Sequence, residues 1–151
     1  MDLKRAKDTA NSFWQSAARC LEQRRISPTH FNMPIVPGVV CAAFSIELGL
    51  KTLIGGSSTP PKSHNLEKLF SLVPANTQDQ IVAGCASTRA SFDASLSLVA
   101  NAFEDWRYIY EQETVQLDMA FLQRLSDAVY SIINGLPPNN SFKPNPLRGS
   151  A

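Results

Sequence analysis

Six polar side chains stand out as groups that could do chemistry together. Glu47 and Lys51 lie four residues apart in an apolar helical segment, so they share one face. Arg107 and Glu111 have the same spacing in Trp106-Arg107-Tyr108-Ile109-Tyr110-Glu111, with Tyr108 between them. His64 comes just after a loop rich in proline, glycine and serine. A charge on an apolar helix needs a partner, and Glu47 is expected to face Arg107, with His64 or Tyr108 nearby. Arginine, histidine, tyrosine and carboxylate in one cleft are a kit for positioning phosphate and moving protons. The competing structural reading is that an Arg–Glu pair sets helix register and His64 caps its own helix.

Other chemistries find less support. Glu47, His64 and Glu111 could ligate a metal, but nothing in their spacing demands one, and no metal or other cofactor is expected. Gly55-Gly56 lacks the Gly-Lys-Ser/Thr of a phosphate loop. No Ser-His-Asp or Cys-His arrangement can be argued. The cysteines, Cys20, Cys41 and Cys85, sit in apolar-periodic segments without CxxC spacing and read as buried free thiols of a reducing compartment.

The elements that must position these groups are helices. Ala6, Ala10, Phe13, Trp14, Ala17, Cys20 and Leu21 recur at steps of three and four, predicting a first helix over about 3–25. Pro28, Pro34 and Pro37 mark 26–37 as a connection. About 36–54 is apolar on nearly every side, as the middle helix of a bundle should be. Ser63 is expected to cap a short third helix reaching Leu72. Thr77 and Gln80 fit a capping box opening a long fourth helix, with the seam Phe92, Leu96, Val99, Phe103, Trp106 and Tyr110. A kink is expected near Gly84 or 87–91. Leu117, Phe121, Leu125, Val129 and Ile132 mark a last helix over about 116–134. The fold class predicted is all-α: an up-and-down antiparallel bundle of four long helices and one short one, over residues 1–135. Residues 136–151, with four prolines, read as a disordered tail.

The totals agree. The chain has 151 residues, the size of one domain. Apolar residues make up 44% and charged residues 18%, which favours a globular chain. Net charge is +1, so no overall basic field argues for nucleic acid. The basic first 25 residues could touch an acidic partner or an RNA backbone, but a solvated helix face is the simpler reading. The apolar stretch near 33–54 is broken by Pro34, Pro37, Glu47 and Lys51, and no signal peptide opens the chain, so a cytoplasmic protein without a membrane span is expected.

Three segments carry a family resemblance. They are Ala43-Phe44-Ser45-Ile46-Glu47-Leu48-Gly49-Leu50-Lys51, His64-Asn65-Leu66-Glu67-Lys68-Leu69-Phe70, and Phe103-Glu104-Asp105-Trp106-Arg107-Tyr108-Ile109-Tyr110-Glu111. In order and spacing the chain resembles, over roughly 5–135, the HEPN superfamily of higher eukaryote and prokaryote nucleotide-binding domains. The resemblance implies an antiparallel four-helix core, often dimeric, and a defence or toxin–antitoxin setting. Many members are metal-independent RNases with an arginine followed, after four to six residues, by a histidine. Arg107 matches that arginine, but the histidine positions hold Gln112, Glu113 and Thr114. Arg25 and His30 satisfy the spacing only formally, in the connection after the first helix. The expectation is therefore a binding or regulatory module without efficient catalysis, homodimeric, with RNA, a nucleotide or a cognate protein as partner. The alternatives are an RNase using Arg107 and His64, and a structural partner-binding bundle with no ligand.

Overall fold

The computed structural model describes residues 1–137; the predicted disordered tail lies, but for its first two residues, outside them. The first helix, α1, is Leu3–Cys20, opened by Asp2, whose side chain accepts from the Arg5 N–H. It ends sooner than its periodicity suggests. Residues 24–32 form the one sheet among the described residues, an antiparallel hairpin of β1 (Arg24–Ser27) and β2 (His30–Asn32). These strands are too short to show alternation in sequence, and the expected connection is in fact paired backbone.

The central helix α2, Ile35–Gly55, packs chiefly against α1 and also meets the later helices Met119–Ile133 and Ala102–Arg107. Val39, Ala43, Ile46 and Leu50 are wholly buried along it. Its length and mean hydropathy of 1.5 would suit a membrane span, but more than half of it is buried inside this fold. At Gly49 the helix Met119–Ile133 packs close: a Cβ there would run into Val129 Cγ1.

Asn65, not Ser63, caps α3 (Leu66–Ser71), its side chain accepting from the Lys68 N–H at 2.8 Å. The predicted long fourth helix is three helices: α4 (Ala75–Gly84), α5 (Arg89–Val99) and α6 (Ala102–Arg107), with a 3-10 turn at Ile109–Glu111. The capping box does not form, since α4 begins at Ala75, before Thr77. The first break follows from left-handed Ala86 (φ 51°) and from Thr88, which caps α5 by accepting from the Ser91 N–H. At the second, the Ala100 carbonyl accepts from the Leu66 N–H at 2.8 Å, and Asn65 Nδ2 donates to Asn101 Oδ1 at 2.9 Å. These bonds tie the start of α3 to the start of α6. The last helix, α7, runs Met119–Ile133, its Asp118 cap accepting from the Phe121 N–H. The fold is thus mainly helical, with one small two-stranded sheet.

Trp14 of α1 stacks on Tyr130 of α7, centroids 3.8 Å apart, and its Nε1–H donates to Asp127 Oδ1 at 2.9 Å. Burial pushes the Asp127 carboxyl above its ordinary 3.8, and the Trp14 bond offsets part of that. The unfolded chain therefore releases this proton at lower pH than the folded one. Stability falls as pH rises from 3.8 through the raised value, and the penalty persists above it. Asp127→Asn keeps an oxygen acceptor for Trp14 and carries no charge. It is expected to be more stable than wild type at pH 7 in urea unfolding, with the advantage vanishing below pH 3.8. An equal gain at both pH values would show that burial of charge is not the cause.

Candidate functional site

Glu47 stands on α2 amid apolar neighbours and is 1% exposed. Both carboxylate oxygens are engaged. Lys51, one turn on, brings Nζ to 2.7 Å from Oε1, and His64 brings Nδ1 to 2.9 Å from Oε2. The Lys51 side chain is itself only 13% exposed. A buried carboxylate without such partners would carry a large desolvation cost.

The Glu47–His64 bond has a chemical consequence. An ionised carboxylate only accepts, so Nδ1 must be the donor, in neutral or protonated imidazole alike. The lone pair of neutral His64 is then on Nε2. The side chain is 46% exposed, so a ligand can approach it.

His64 is held in place by its two successors in the chain. Asn65 and Leu66 are bonded to Asn101 and Ala100, which directly precede α6. The imidazole thereby meets Phe103, ring centroids 5.1 Å apart. The Arg107 guanidinium lies over the same Phe103 ring, 4.9 Å from its centre. Behind them Phe44 stacks on Phe103 at 4.9 Å and meets Phe13 edge-on at 4.6 Å. Arg107 Nη2 donates to the Tyr108 hydroxyl at 3.0 Å, and the guanidinium also covers the Tyr108 ring. One phenylalanine therefore presents an imidazole and a guanidinium, backed by an apolar wall.

Several expected contacts are replaced by others. Glu47 does not face Arg107: its cationic partner is Lys51, on its own helix, and its ring partner is His64. Arg107 and Glu111 are exposed and form no ion pair with each other. Helical geometry stops at Tyr108 (φ −113°, ψ 27°), so the i, i+4 relation assumed for them is lost. Tyr110, expected on the core seam, is 78% exposed for the same reason. His64 does not cap α3; Asn65 does. In the hairpin, Arg25 donates to the carbonyls of Ser27 and Pro28, while His30 Nδ1 sits 2.9 Å from Thr29 Oγ1. Phe44 and Phe103 are readable from sequence only as core residues; their part in the site depends on the approach of His64.

No family model, curated protein or solved structure matches this chain.

Proposed function

We propose that this chain is a HEPN-like helical module that binds the phosphates of single-stranded RNA, or of a nucleotide carrying the same group, at His64 and Arg107. The supporting observation is that imidazole and guanidinium share the Phe103 ring, both open to solvent. Arg107 offers the fork geometry that suits phosphate oxygens. Stacking on Phe103 and Tyr108 limits its freedom before a ligand arrives. A homodimer with two such clusters around a shared cleft would widen the footprint, and an antiparallel bundle in a defence or toxin–antitoxin setting belongs to the same reading.

A specific observation favours a second reading, metal-independent RNA cleavage. Glu47 accepts from the Nδ1–H of His64, which leaves the lone pair of the neutral ring on Nε2, as a base for a 2′-hydroxyl requires. Glu47 would orient and support the imidazolium, and Arg107 would steady the phosphate.

One experiment separates these readings. Fluorescent single-stranded RNA is titrated in EDTA at low and high salt, and the RNA is then run on a denaturing gel. Binding that weakens with salt and falls about tenfold or more in Arg107→Ala supports the phosphate site. Cleavage lost in His64→Ala supports the second reading. Arg107 is exposed, so the variant should stay folded, as circular dichroism can check. Equal affinity of wild type and Arg107→Ala for RNA and for nucleotides would overturn the proposal.

A further inference from the structure

Between them, α1 and α7 leave a cleft of about 280 Å3 that shares no residue with the His64 site. Its apolar wall includes Trp14, Ala17 and Leu21, and its polar residues include Glu22, Ser126 and Asp127. No lysine or arginine lines it. Its volume lies just below the usual range for small-molecule sites, which suits only a small ligand.

Ser126 points to a ligand independently of the two acids. The residue is only 4% exposed, yet its hydroxyl makes no hydrogen bond among the described residues. No polar side-chain atom there is both sealed and unpartnered, so this hydroxyl keeps some exposure, and its residue lines the cleft. Asp127 gives one oxygen to Trp14 Nε1–H, which leaves acceptor capacity on its carboxylate. Glu22, the other acid, has Arg24 as a partner at 3.2 Å outside the cleft.

We propose that this cleft binds a small organic ammonium ion with an apolar body. The ammonium would donate to Asp127 and Ser126, and the body would lie along Trp14, Ala17 and Leu21. An anion would meet the Asp127 carboxylate, and no lysine or arginine lines the cleft to offset the repulsion. A neutral molecule would leave the partly buried carboxylate of Asp127 uncompensated.

The probes are 2-phenylethylammonium, its neutral counterpart 2-phenylethanol, and the anion 3-phenylpropionate. Each is titrated at neutral pH while the Trp14 indole N–H resonance is followed, a reporter that touches Asp127 directly. Trp106→Phe identifies the Trp14 signal. The ammonium is expected to give a saturable shift, the alcohol a weaker one and the acid none. Asp127→Asn, which should be the more stable protein at this pH, is expected to weaken ammonium binding about tenfold or more. Ser126→Ala should weaken it severalfold with little effect on unfolding. The proposal fails if ammonium and alcohol bind alike, if Asp127→Asn binds the ammonium as well as wild type, or if no shift saturates by about 10 mM.

Discussion

Glu47→Ala is expected to lower folding stability by about 3 kcal/mol, the range found when one partner of a buried ion pair is removed. The cost arises at Lys51, whose largely buried ammonium would lose the oxygen 2.7 Å away. His64 adds less, since nearly half its side chain is already in water. The charge and the shape of the site can be separated. Glu47→Gln keeps an acceptor but not the charge, and should fall between wild type and Glu47→Ala. Glu47→Leu combined with Lys51→Met removes both ions with similar volume and should recover most of the loss. Urea unfolding with unchanged slope is the measurement. A double variant as unstable as Glu47→Ala would mean that the deficit lies in packing, not in an unpaired charge. The stable double variant has a second use: His64 then lacks its carboxylate, so any RNA cleavage found under the second reading should drop, while the proposed phosphate binding through Arg107 persists.

Phe92→Ala should cost more, about 4 kcal/mol, as expected for a fully buried phenylalanine. Its ring is wholly sealed between Phe70 of α3, at 4.9 Å, and Phe121 of α7, at 5.4 Å and near-perpendicular. The truncation would empty the point where α5 meets both. With Phe92, only Leu96 and Val99 are buried on this helix, so little else holds it. Phe92→Leu fills most of the volume and should cost less than about 1.5 kcal/mol. Hydrogen exchange offers a finer check: amides of 89–99 should lose protection before those of α2. If Phe92→Ala lost under about 1 kcal/mol, α5 would not be docked through this ring.

How much of the fold is legible in the sequence depends on the range of the forces involved. The stripes on α1 and α7 are repeated local signals, since apolar side chains at steps of three and four must bury one face whatever the partner, and an α2 apolar on nearly every side must lie in the middle. The shared face of Glu47 and Lys51 is also visible, since i, i+4 spacing sets it by geometry alone, although the sequence pointed to Arg107 as the partner of Glu47. The seam from Phe92 to Phe103 points to the right buried residues, all four of them within the core. It cannot show that the chain turns twice along the way. Those turns depend on left-handed Ala86, and on Ala100 giving its carbonyl to Leu66, more than thirty residues earlier.

The amino-acid sequence determined by itself the helical class, the buried middle helix and the shared face of Glu47 and Lys51 upon it, because each rests on relations between near neighbours. Only the tertiary structure decided that His64 supports Glu47 while Arg107 stays outside on the Phe103 ring. It alone brought Trp14, Ser126 and Asp127 to one cleft. Partners far apart in the chain are chosen by where helices stop and which way they turn, and that depends on hydrogen bonds no local pattern records.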